Sequence, residues 1–174
     1  MDPATFIKNY APKGAVIFIN YEFSLTEYFN PSEDKHAAIY IGSDCTSNHV
    51  KMFLSCSKFD EKMAIEASYK NGVRLVNIDD LIKGAISVKV LTLNDVISQY
   101  KMGLAADNAT SFLGMPYGFG NDNIYCFKLV ADSYKFLGVT LPTYNILGKQ
   151  IFLSQSFVNN KQWKIVYSFS RPTD

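Results

Sequence analysis

Blocks of apolar and polar positions along the chain read as strands first and as helices later. Residues 15–19, Ala-Val-Ile-Phe-Ile, are a short apolar run typical of a buried strand, and residues 36–41 are a second one, closed by Gly42. Residues 43–62 are polar and irregular, with two cysteines and scattered lysines, and read as a surface excursion. Residues 64–68 and 73–76 form the next strand pair, about Lys70-Asn71-Gly72, where Asn-Gly is a strong hairpin signal. A helical turn over 78–83 and an alternating strand over 87–93 follow. Over 95–113 the spacing predicts a longer helix with Val96, Tyr100, Gly103, Leu104 and Ala106 to Ala109 inward, ended by Gly114 and Pro116. Another helix starts at Cys126 and stops at Gly138, residues 146–157 read as short helical turns, and a last strand lies around 163–167. No repeat or linker divides the chain. This order predicts a single α+β domain over 1–174, with an antiparallel strand meander packed on one or two helices.

Composition narrows the function classes. With 174 residues, 48% hydrophobic and 14% aromatic, the chain has ample material for a core. Seventeen basic side chains against sixteen acidic ones give a formal charge of +1 without a basic block, so charge does not point to nucleic acid or anionic lipid as a partner. Cys45, Cys56 and Cys126, at spacings of 11 and 70, match no common zinc or haem motif, and their odd number argues against a closed disulfide framework. No metal or cofactor is expected. The start of the chain lacks a charged-then-apolar leader, and no apolar run approaches the roughly eighteen residues of a membrane span. The expected setting is a reducing cytoplasm with free thiols. Residues 114–120 lack the features of a nucleotide-binding loop, and Asn108-Ala109-Thr110 falls inside a predicted helix, which makes its glycosylation pattern accidental.

The most informative residue is Cys126, where the Gly/Asn/Asp-rich turn over 118–123 gives way to an amphipathic helix. Leu129, Val130, Ser133 and Leu137 recur at i+3, i+4, i+7 and i+11, so the thiol shares the inward face. A helix start favours thiolate over thiol, because its unpaired N–H groups and dipole attract negative charge. A small buried apolar residue is the competing reading.

A nucleophilic thiol needs a base, and usually a third group that orients the base. His36 opens a strand just after Glu33-Asp34-Lys35, at a sheet end where a cleft can lie, whereas His49 belongs to the polar excursion and reads as solvated. Glu66 shares a strand face with Ala64 and Ser68, a costly place for a carboxylate unless a positive or donating group meets it. That group is either His36 or an ion-pair partner, Lys70 or Arg74, which needs no catalysis; a water-facing edge position is a third option. Asp34, Glu33 and Asp122 are weaker orienting candidates.

Four segments, Lys35 to Gly42, Ala64 to Arg74, Met115 to Phe119 and Tyr125 to Val130, resemble the circularly permuted, papain-like cysteine hydrolases of the NlpC superfamily, in which a strand histidine precedes the nucleophilic cysteine. The likeness covers nearly the whole chain and is closest to the small poxvirus branch, which implies a host cytoplasmic location. The resemblance implies a permuted papain-like fold with Cys126 as nucleophile at a helix N-terminus, His36 as general base and Glu66 orienting the imidazole. It also implies that Tyr117 and the neighbouring Tyr125 line the substrate site. Bacterial relatives commonly carry a small residue and an acid after the cysteine, whereas this chain has Phe127 and Lys128, so their substrate preference does not transfer.

The implied chemistry is an acyl-thioester route. His36 takes the thiol proton, the thiolate attacks an amide or ester carbonyl, and water or a bound amine or alcohol then releases the acyl group. Related permuted proteins such as lecithin–retinol acyltransferase handle lipid acyl groups, so a small amide, a lipid or an acylated molecule is the substrate class implied. The rival reading is a catalytically silent viral module that keeps the scaffold to sequester a host lipid or protein.

Overall fold

The structure, a computed structural model, describes residues 1–22, 31–42 and 61–172. The polar excursion therefore lies outside the described residues except for its last two positions, and so do Cys45, Cys56 and His49.

Helix α1 (Pro3–Tyr10) opens the chain, with Asp2 as its cap accepting from the Thr5 N–H at 3.0 Å and proline in its first turn. The sequence reading assigned no element here although both signals are local. Strands β1 (Val16–Tyr21), β2 (His36–Gly42), β3 (Met63–Ser68) and β4 (Gly72–Asn77) follow as an antiparallel meander. After a single helical turn, α2 (Ile78–Ile82), strand β5 (Ala85–Leu93) pairs with the free side of β1. Strand β8 (Trp163–Ser170) then adds to β5, giving a six-stranded antiparallel sheet in the order β4-β3-β2-β1-β5-β8. The α+β meander is as the pattern predicts.

Helix α3 (Ser98–Thr110) is shorter than the 95–113 expected, and its buried face differs. Met102, Ala105, Ala106, Ala109 and Thr110 point inward, while Val96 is fully exposed and Tyr100 is mostly so. Asp95 accepts from the Ile97 N–H at 3.2 Å and from Lys101, which holds Val96 outside the helix. The absence of a side chain at Gly14 (φ +88°) lets the helix close on the turn before β1, since a Cβ there would stand 2.0 Å from the Met102 carbonyl oxygen.

Residues 146–157 hold a hairpin where helical turns were expected. Strands β6 (Tyr144–Ile146) and β7 (Lys149–Ile151) pair about Leu147 and Gly148, at φ 50° and 80°, with the Gly148 N–H donating to Asn145 Oδ1 at 3.0 Å. Two successive left-handed residues make a hairpin turn and exclude a helix. Only α5 (Gln155–Val158) agrees with the expectation.

Helix α4 (Cys126–Ser133) packs on the sheet through aromatic contacts. Phe18 of β1 meets Phe127 and Phe157 edge to face, each at 5.5 Å, and Trp163 meets Tyr134 and Phe157 at 4.9 and 5.3 Å. The Tyr134 hydroxyl donates to the Gly14 carbonyl, tying the end of this helix to the start of β1.

Candidate active site

The segment before Cys126 is closed by its own backbone. The Ile124 N–H donates to the Pro116 carbonyl at 3.1 Å and the Gly118 N–H to the Ile124 carbonyl at 3.3 Å. Tyr125 caps α4 in an extended conformation without a side-chain bond to the helix, so the first-turn N–H groups beside Cys126 carry no side-chain cap. Cys126 itself is buried, on the same inward face as Leu129, Val130 and Ser133.

His36 enters from the other side, as the first residue of β2, opposite Ile19. The residues leading to it are anchored. The Lys35 N–H donates to Asn20 at 2.7 Å, the Asp34 N–H to the Ser154 hydroxyl at 3.0 Å, and Asp34 itself pairs with Lys89 at 3.0 Å. Asp34 is thereby committed to Lys89, and Asp122 and Glu33 stand exposed, which leaves Glu66 as the carboxylate at the imidazole.

The imidazole joins three of the sequence candidates. His36 Nε2 lies 2.6 Å from Glu66 Oε2, and Cys126 is near enough to the ring to act on its charge. Glu66 is about 5% exposed, and its other oxygen accepts from Arg74 Nε at 2.9 Å, with Nη2 at 2.8 Å. Two of the alternatives left open for Glu66 thus hold together, since one carboxylate serves both the histidine and the arginine, and its burial excludes the water-facing edge position. Arg74 was weighed only as a rival to His36, although the Asn71-Gly72 hairpin already sets it opposite Glu66.

Electrostatics follow from this geometry. Burial opposes charge on His36, but hydrogen bonds to Cys126 and Glu66 and their negative charge outweigh it and push the group up to about 9. Burial likewise works against the Glu66 carboxylate, yet His36 and Arg74 hold it below the ordinary value. The imidazole should therefore be charged at pH 7 and release its proton near pH 9, which a histidine ring NMR titration checks. In Cys126→Ala the titration should move downward, because the sulfur's hydrogen bonding and thiolate charge both favour the imidazolium; an unmoved titration contradicts their coupling.

Tyrosines wall the site. Tyr21, which the sequence did not single out, stands with its ring 6.1 Å from that of His36 and donates to the Leu81 carbonyl. Tyr117 is half-buried and titrates above its ordinary range, through burial and then through the charge of Cys126. Burial also pushes Tyr125 up to about 12, but its hydroxyl accepts from the Phe152 N–H at 2.7 Å and its ring stacks on Phe119 at 4.7 Å. That hydroxyl is engaged within the protein. Among the described residues no three His, Cys, Asp or Glu side chains gather to hold a metal, and no helix is long and apolar enough to cross a membrane.

Residues 10–167 match the model of a family described as permuted papain-like amidase enzyme, YaeF/YiiX, C92 family. Protein OPG091 of vaccinia virus (strain Western Reserve) is 43% identical over 173 residues, which cover 99% of this chain and 94% of that protein. OPG091 of monkeypox virus is 43% identical with the same coverage, and that of variola virus is 42% identical. Among solved structures, the metalloprotein yiiX from Escherichia coli O157:H7 superposes with a TM-score of 0.69 at 16% identity, over 92% of this chain and 98% of its own.

Proposed function

This chain belongs to the permuted papain-like amidase family, and from that membership we propose that it is a cysteine-dependent amidase, esterase or acyltransferase working through Cys126, His36 and Glu66. The observation that carries the reading is the imidazole of His36, bound to the Glu66 carboxylate at 2.6 Å and with Cys126 near enough to act on its charge.

In this reading the Cys126 proton already rests on His36 at neutral pH, as a thiolate–imidazolium pair, and the sulfur adds to the carbonyl carbon of the substrate. The oxygen gains negative charge next to the uncapped start of α4, where the Cys126 N–H donates to it. Collapse breaks the bond to the leaving group, which takes the proton from the imidazolium and leaves an acyl-thioester. Water, deprotonated by His36, then frees the acid; a bound amine or alcohol in its place completes an acyl transfer. Glu66 keeps Nε2 occupied, so Nδ1 faces the sulfur throughout.

The rings around the thiol favour an apolar acyl group. Tyr69, Tyr117 and Phe119 follow one another edge to face at 6.2 Å, and Phe119 stacks on Tyr125, next to the nucleophile. Phe119 is half-exposed and Tyr69 mostly exposed, so this row of rings runs from the surface toward Cys126. Tyr117 is the ring that lines the acyl site in this reading, and Tyr125 is linked to it through Phe119. A small amide, lipid or acylated molecule in the host cytoplasm is the substrate proposed.

Alkylation by iodoacetamide tests the pairing. Cys126 should label well above the rate of free cysteine at pH 6, where a free thiol is almost wholly protonated, and His36→Ala should slow it by on the order of 10²-fold. Labelling at the free-cysteine rate, unaffected by His36→Ala, would favour the silent binding module instead.

A further inference from the structure

Glu66 raises a question that the three-residue reading leaves open. A carboxylate buried to this degree stays charged only when its lone pairs are met, and the imidazole meets one oxygen only. The second oxygen faces β4. Ala38, Glu66 and Arg74 stand opposite one another in β2, β3 and β4, so sheet register itself delivers the guanidinium to that oxygen. Arg74 meets it through two nitrogens, Nε at 2.9 Å and Nη2 at 2.8 Å, both on this one oxygen, while the imidazole holds the other, so the carboxylate is gripped at both ends.

We propose that Arg74 is a positioning residue for the reaction, a fourth member that locks Glu66 in the ionised form and in the orientation His36 needs. The inference rests on the reading of Cys126, His36 and Glu66 given above. Arg74 touches neither the thiol nor the imidazole directly in the bonds described, and it acts through Glu66. The titratable groups that face this carboxylate or act on it are His36 from β2, Arg74 from β4 and Tyr21 from β1, with Cys126 of α4 beyond the imidazole. Among them Arg74 is the permanent cation. When His36 is neutral, Arg74 still holds Glu66 charged, so the carboxylate is ready whenever the proton returns to the imidazole.

The consequence is a pH effect with a definite sign. Without Arg74, burial raises the pH at which Glu66 takes up a proton, and a protonated Glu66 no longer supports the imidazolium. The acid limb of Cys126 alkylation should therefore move toward neutral pH. Iodoacetamide, a neutral probe, is to be titrated against the wild-type chain, Arg74→Gln, Arg74→Lys, Glu66→Gln and the doubles with Glu66→Gln. Arg74→Gln should shift the acid limb upward by about one pH unit, a tenfold slower rate on that limb, and Arg74→Lys by less, because lysine keeps the charge but loses the fork. In the Glu66→Gln background neither substitution should shift it further. A limb that stays in place in Arg74→Gln, or one that moves equally without the Glu66 carboxylate, overturns the proposal. If Arg74→Gln does not fold, the Lys variant decides by the same two criteria. His36-dependent labelling that ignores Arg74 sinks this inference alone, whereas labelling that ignores His36 sinks the reading beneath it.

Discussion

Cys126→Ala should abolish turnover of every acyl-amide, ester and phospholipid probe on which the wild-type chain acts, and leave the fold in place. No other thiol among the described residues can take over, since Cys126 is the one cysteine they include. Loss of a covalent nucleophile removes the step itself, so the residual rate should approach that without protein. Cys126→Ser separates chemistry from structure. The volume change is small and a hydroxyl at a helix start is well tolerated, so the thermal midpoint should stay within a few degrees of wild type while turnover falls with that of the alanine variant. Gross unfolding of the serine variant would assign Cys126 to the core, and wild-type turnover in either variant would remove it from the reaction. The same probe panel would also reveal which acyl donor is accepted, and whether water or an added amine receives it.

Phe18→Ala should be the most damaging single change to stability. Its ring is fully buried and meets Phe127 of α4 and Phe157 of α5 edge to face, so one side chain of β1 holds both helices to the sheet. Removing a buried phenylalanine costs about 3–5 kcal/mol, which in a chain of this size lowers the thermal midpoint by roughly 6–20 °C. The damage should reach the site, because Phe127 directly follows Cys126. Alkylation of Cys126 should lose part of its His36 dependence as the helix start loosens. A midpoint lowered by less than about 3 °C would mean that the helices are held by something other than this aromatic contact.

The likeness to permuted papain-like hydrolases, and with it the α+β meander, was legible because its marks are local. Asn71-Gly72 turns the chain between β3 and β4 through chemistry confined to a few residues, and the apolar runs of β1 and β2 carry their burial in their own composition. Asp2 and Pro3 start α1 by equally local means, although the reading passed over them. Elsewhere local patterns misled. Several phases of an inward stripe fit residues 95–113, and the one adopted buries Met102 and the alanines after it, with the Met102 backbone against Gly14, more than eighty residues earlier in the chain. Leu147-Gly148 is a turn despite the apolar residues around it, since backbone conformation there outweighs side-chain pattern.

By itself, the order of residues determined which side chains were available: a thiol opening an amphipathic helix, a histidine opening a strand, and a glutamate on a strand otherwise short of polar groups. Only the tertiary structure decided that they meet. His36 and Cys126 lie ninety positions apart, and their contact depends on the register of β2 against β1 and on the seating of α4 over the sheet, neither of which any short stretch of sequence encodes. The same holds for Glu66, whose two alternative partners proved to be simultaneous ones. A carboxylate has two oxygens, and neighbouring strands brought a different cation to each.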